Sequence, residues 1–256
     1  IATTVVGRDY GLDPANVELR FPDFGSWTQL AASNAVVDAL PVAGVLGAAL
    51  VTIDGQSYTV GGLSGQPDRA YLLPEWLNSL TNSPDAFQFE RFEEGKPSAP
   101  FAWKRTRHAA DLPWPPRGTS VALHFHGVTE ATRNVQVIVH YELYDGLPVI
   151  GKWFTLKNGT GHPITLDRFT SERLAFVEGE SAVDERPDLA WRTPNVQVLS
   201  DYMFKGMDTV TANQVVSWQP DPKFRTQVSY NLKTPCVLVC QPPIGPGVTI
   251  QPSEEF

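Results

Sequence analysis

Val135-Gln136-Val137-Ile138-Val139-His140-Tyr141-Glu142-Leu143-Tyr144 is the stretch that decides the fold class. Val135, Val137, Val139, Tyr141 and Leu143 alternate with Gln136, Ile138, His140, Glu142 and Tyr144, the period of a strand with one mainly apolar and one mixed face. Asp145-Gly146 supplies a turn, and 148–157, rich in β-branched and aromatic residues, forms a second strand. Asn158-Gly159 suits the positive φ angles of a tight hairpin. A third strand over 163–170 then completes an antiparallel meander.

Outward from this centre the chain reads as monotonously β. Strands are predicted over 44–53, 56–61, 86–92, 101–107 and 120–128, and again over 195–199, 206–212, 215–218, 224–232 and 235–240. Asp54-Gly55 joins the first two as a hairpin, Glu94-Gly95-Lys96-Pro97 makes another turn, and Pro113-Trp114-Pro115-Pro116-Arg117-Gly118 is a rigid connector whose prolines cannot donate to a ladder. Helical periodicity is confined to one turn over 74–79, with Pro74 at its start. The 20 Gly and 22 Pro favour many short strands over long helices. Strands with one apolar side each must close face to face, so the expected architecture is all-β, a large two-sheet antiparallel β-sandwich (a supersandwich) with little helix. Without repeats, low-complexity tracts or linkers, 1–256 reads as a single domain.

With 256 residues, 42% hydrophobic and 11% aromatic, the chain has ample material for a core. A net charge of −8 with both signs dispersed argues against a polyanionic partner. The basic run Lys104-Arg105-Thr106-Arg107 reads as a solvated strand face. Nothing approaches the roughly 20 apolar residues of a membrane span; the apolar run 39–51 is broken by Pro41, Gly44 and Gly47 and reads as buried loop and strand. Cys236 and Cys240 share one strand face about 13 Å apart, too far for a disulfide, so buried free thiols are expected. Neither they nor His124-x-His126 have a third ligand at a recognisable spacing, so no metal is expected, and no cofactor.

Tyr-Glu-Leu-Tyr-Asp-Gly-Leu-Pro-Val-Ile-Gly-Lys-Trp-Phe-Thr-Leu from Tyr141 and Leu-Asp-Arg-Phe-Thr-Ser-Glu from Leu166 resemble the amino-terminal β-sandwich of α-galactosidase-like glycoside hydrolases of family 36. The family pattern is Tyr-Glu-x-Tyr-Asp-Gly-x-Pro-x-Ile-x-Lys/Arg-Trp followed by a strand pair. The resemblance implies a sandwich similar to the galactose mutarotase fold, placed ahead of a catalytic (β/α)8 barrel that carries both catalytic aspartates. A Pro-Gly-Glu-x-Phe stretch leads into the last sandwich strand in that family, so Pro252-Ser253-Glu254-Glu255-Phe256 suggests a chain cut before its barrel. The partners implied are a galactoside-like carbohydrate, that barrel, and a second copy in a homo-oligomer. The sequence opens at Ile1 without a charged n-region or apolar h-region, so any export signal is expected to have been removed or to lie outside it, while an extracytoplasmic setting suits polysaccharide breakdown.

Seven tryptophans support carbohydrate work independently, because indole rings stack on the apolar faces of pyranoses. Trp27, Trp76, Trp114 and Trp191 are placed on loops, whereas Trp103, Trp153 and Trp218 read as core. The carbohydrate-binding candidates are Asp23, Trp27, Trp114, Trp191 and Arg192. No catalytic residue is assigned; Glu93-Glu94, 178–180, Asp184-Glu185 and Asp188 read as solvated surface. Three other readings compete, one of them a purely structural or assembly domain, which would show no polar pocket and a large apolar contact area. A stand-alone carbohydrate-binding module would use a groove of indoles, and a mutarotase or aldose 1-epimerase would use His124 or His126 as acid beside a carboxylate base. Against that enzyme, inward Val121, Leu123 and Phe125 send both histidines outward to solvent or a polar groove. Asn158-Gly159-Thr160 also fits a glycosylation acceptor, exposed in a hairpin turn, but the preferred reading is that Asn-Gly serves turn geometry.

Overall fold

Two-residue alternation governs both layers of the fold. The computed structural model describes residues 2–7, 18–23, 26–32, 35–36, 38–39, 49–61, 63–64, 81–82, 84–99, 113–146, 149–179, 196–200, 215–220 and 233–256. Among them are nineteen strands and no helix: β1 (Ala2–Gly7), β2 (Glu18–Asp23), β3 (Ser26–Ala32), β4 (Ala35–Val36), β5 (Asp38–Ala39), β6 (Ala49–Ile53), β7 (Gln56–Val60), β8 (Leu63–Ser64), β9 (Thr81–Asn82), β10 (Gln88–Gly95), β11 (Gly118–His126), β12 (Val135–Tyr144), β13 (Val149–Asn158), β14 (Ile164–Thr170), β15 (Glu172–Gly179), β16 (Val196–Ser200), β17 (Val216–Pro220), β18 (Lys233–Cys240) and β19 (Pro246–Ile250). The helical turn over 74–79 and the strands expected over 101–107, 206–212 and 224–232 lie outside the described residues.

The larger sheet runs β10-β11-β12-β13-β1-β16, and a facing sheet runs β19-β14-β6-β7; neighbours in both are antiparallel. Val121, Leu123 and Phe125 of β11, Val135, Val137, Val139 and Tyr141 of β12, and Phe154 and Leu156 of β13 point inward. They meet Val51 and Ile53 of β6, Val60 of β7, Ile164, Leu166 and Phe169 of β14, and Ile250 of β19. Phe154 and Phe169 touch edge to face across the layers, with ring centroids 5.2 Å apart. Burying a side chain such as Leu156, 0% exposed, contributes about 1.5–3 kcal/mol. This is the expected β-sandwich. A third sheet, β15-β18-β17, continues directly from β14, and smaller groups are β4-β3-β2-β5 and β8-β9. The β2/β5 contact is parallel, a departure from the all-antiparallel expectation.

Asp54-Gly55 forms the expected hairpin, with φ of 48° and 79°, the left-handed pair that a two-residue turn requires. The meander is only half right. β12 and β13 pair from Val135↔Asn158 to Leu143↔Ile150, but β14 leaves the larger sheet and pairs with β6 and β19 in the facing one. Asn158-Gly159 is therefore a corner between layers, not a hairpin tip. The Asn158 side chain is 1% exposed. Its Nδ2 donates to the carbonyls of His162 and Ile250, and its Oδ1 accepts from Thr160 N and Oγ1. Gly159 is required by space, since a Cβ there would lie 2.6 Å from the Asn134 carbonyl oxygen. The exposed acceptor amide expected at Asn158-Gly159-Thr160 is thus contradicted: both its ends are bonded inside the corner.

The same corner receives the chain after β19. Ser253 N donates to the Asn158 carbonyl and Asn158 N to that of Glu254, while Phe256 and Leu156 exchange two backbone bonds along the edge of β13. Phe256 packs against Phe154 and Phe169. Cys240 is a free, buried thiol, as expected.

Candidate functional site

Cross-strand register lays the outer face of the larger sheet out in rows. Arg91, His124, Ile138 and Thr155 form one row; Glu93, Ala122, His140 and Trp153 form the next; Gly95, Ser120, Glu142 and Gly151 form a third. Directly opposed residues share a face and touch. The chain leaving β10 folds back over the third row. Ser120 Oγ donates to the Lys96 carbonyl, and Glu142, 2% exposed, accepts from Ser98 N at 2.7 Å and Tyr144 OH at 2.7 Å. Burial and this carboxylate together raise the Tyr144 phenol well above its ordinary range.

In the second row the rings of His140 and Trp153 stack 4.9 Å apart at 7°, and His140 Nε2 lies 3.2 Å from Thr155 Oγ1. Trp153 is thus an outer-face residue, not the core residue expected from its strand. Burial, with smaller contributions from the charges of His124 and Lys157, pushes the His140 imidazole down to about 4.

His124 is the anomaly of the face. It points outward as alternation demands, yet it is 5% exposed, while His126 two residues on is exposed. Solvent or a polar groove was expected to receive both; His126 meets solvent, and Ile138, 6% exposed, with the Arg91 and Glu93 side chains borders His124. Among the described residues neither ring nitrogen of His124 has a hydrogen-bond partner, and the Glu93 carboxylate stands 3.6 Å from Nε2. Leaving a buried polar group unsatisfied costs about 1–3 kcal/mol. Burial first, and the Arg91 charge second, lower the imidazole's pKa from its ordinary value, against the weaker pull of Glu93 and Glu90. Arg91 is hydrogen-bonded to Glu93 and holds that carboxyl below the usual range.

A second polar cluster faces the interior. Lys152, 1% exposed, donates to Glu172 Oε1 at 2.9 Å and lies 5.4 Å from the centroid of the Tyr141 ring. Burial pulls the ammonium down, but Glu172 and Tyr141 more than reverse this and leave it above its ordinary pKa. Burial raises the nearby Cys240 thiol, with Glu172 adding to the shift. The signal for this cluster was present in the sequence: Ile150, Lys152, Phe154 and Leu156 occupy one strand face, so the lysine stands in an apolar series.

No protein-family model, curated protein or solved structure matches this chain. Function is therefore argued from these two clusters.

The five candidate carbohydrate contacts are distributed differently. Asp23 ends β2 opposite Ser26, and Trp27 lies in β3 opposite Pro22, so Trp27 is a strand residue and not the loop residue expected. Trp114 precedes β11 and is 37% exposed. Trp191 and Arg192 lie outside the described residues. Among the described residues, no group of three or more His, Cys, Asp or Glu is placed to hold a metal ion.

Proposed function

We propose that this chain is a non-catalytic β-sandwich domain of a carbohydrate-active enzyme resembling the α-galactosidases, bracing a catalytic barrel and shaping sugar access or oligomer contacts. The observation that carries this reading is the Tyr141–Lys152–Glu172 cluster. Tyr141 and Lys152 belong to the first segment that resembles the family 36 sandwich and Glu172 ends the second; the two segments meet through a buried ion pair. Because Lys152 and Glu172 are buried and answer each other, losing either would leave an uncompensated buried charge, which supports a role in the fold.

The mutarotase alternative is favoured by the proximity of His124 and Glu93. Their ionisation opposes it. Ring opening needs an imidazolium to protonate the ring oxygen and a carboxylate basic enough to take the anomeric proton, whereas both groups are shifted down, leaving His124 without its proton and Glu93 a weaker base.

Sequencing the gene beyond the codon for Phe256 tests the scaffold reading: strand and helix segments of a barrel with an aspartate at a strand end are expected, and a stop codon there would contradict it. The chain itself should leave freshly dissolved α-D-galactose to equilibrate at the buffer rate. Acceleration abolished by His124→Ala would favour the mutarotase.

A further inference from the structure

We infer that His124, Arg91 and Glu93 form a binding site for a neutral, hydroxyl-rich ligand of the pyranose class on the outer face of the larger sheet. The choice of a sugar among such ligands rests on the carbohydrate reading above, but the demand for a neutral, hydroxylated group comes from the residues themselves. His124 is 5% exposed, and among the described residues both ring nitrogens lack a hydrogen-bond partner, the Glu93 carboxylate standing 3.6 Å from Nε2. A neutral imidazole presents one donor and one acceptor, and a hydroxyl group answers either, because it both donates and accepts. Arg91 adds donors and Glu93 adds acceptors, so vicinal hydroxyls find both kinds of partner. The charges of Arg91 and Glu93 cancel, and burial keeps His124 uncharged at neutral pH. With Glu90 also within electrostatic reach of His124, the surroundings carry no net positive charge and give an anion no advantage.

Access is built into the same residues. The Arg91 and Glu93 side chains are 47% and 59% exposed and are bonded to each other beside the imidazole. Exposed pairs of this kind are weak, so the polar atoms of Arg91 and Glu93 can exchange each other for a ligand's hydroxyls at little cost. In the neighbouring row the small Ala122 stands between Glu93 and the stacked His140 and Trp153, whose rings are of the kind that stack on the apolar face of a sugar.

Isothermal titration of the full chain with methyl β-D-galactopyranoside and methyl α-D-glucopyranoside, with galacturonate and sulfate as charged controls, tests the site. Saturable binding of a neutral glycoside is expected, weakened about tenfold or more by His124→Phe and by each of the surface changes Arg91→Ala and Glu93→Gln. Should His124→Phe fail to fold, the two surface variants decide. Undiminished glycoside binding in the folded variants overturns the site and leaves the scaffold reading standing. Tighter binding of galacturonate or sulfate than of the glycosides overturns the neutral ligand, and no binding of either glycoside by the wild-type chain overturns the site altogether, while the scaffold reading is judged separately by the sequence beyond Phe256.

Discussion

On the inner face of the larger sheet Lys152 is 1% exposed and bonded to Glu172 at 2.9 Å, whereas on the outer face His124 is 5% exposed and its ring nitrogens have no hydrogen bond among the described residues. Both are buried titratable groups a few residues from one another in the register of three adjacent strands. The inner group is charged and answered by a fixed partner, so it locks β13 to β15. The outer group is kept neutral and left unanswered, beside side chains that can move. Burial alone does not tell a structural polar residue from one reserved for a ligand; the state of its partners does.

The largest expected effect lies inside. Lys152→Ala should destabilise the fold by about 4 kcal/mol, because an uncompensated Glu172 carboxylate remains buried. In urea unfolding, the double change Lys152→Met with Glu172→Leu should recover most of that loss, and a neutral single variant would show that the inner pair is not the lock described. Leu156→Ala, at a site 0% exposed, should cost about 3 kcal/mol through lost transfer energy and a cavity. Thr155→Ala on the outer face should cost less, about 1 kcal/mol, through the lost contact of its hydroxyl with His140 Nε2, which measures how far the two faces differ.

Asn158→Ala should cost about 2 kcal/mol, since the carbonyls of His162 and Ile250 lose their donor in the corner. Thermal unfolding reads it, and an unchanged midpoint would mean that the corner is held by its backbone bonds alone.

The smallest effect is a pH dependence that belongs to the outer face. Both His124 and His140 have folded-state pKa values below the ordinary one, His140 at about 4. The unfolded chain therefore binds more protons in this range, and the stability these residues contribute is complete above about pH 6.5 and falls as the pH drops. The slope is at most about 1.4 kcal/mol per pH unit for each imidazole, extending toward pH 4 for His140. Unfolding free energies between pH 8 and 5 should show this decline, and His140→Phe should flatten it.

Local periodicity carried much of this into the sequence. The strands around 135–144 and 149–158, the Asp54-Gly55 hairpin and the inward set Val121, Leu123 and Phe125 all follow from two-residue alternation and turn chemistry, and the structure has them. Partner choice was not legible. Whether β14 continues the sheet of β13 or crosses to the facing one depends on contacts with β6 and β19, more than 75 residues away along the chain in each case. The burial of His124 was hidden for a related reason: alternation assigns a residue to a face but says nothing of what lies on that face. Lys152 was legible as an oddity among apolar neighbours, yet its meaning needed Glu172, which only the folded chain brings to it.

The most direct test of the claim that the outer face binds rather than catalyses is an imidazole nitrogen titration of His124 by NMR across pH 4 to 8. The account predicts a neutral ring at pH 7, protonating only below the ordinary histidine value near 6.5. A ring still protonated at pH 7 beside the Glu93 carboxylate would be a competent acid facing a base, and would contradict it.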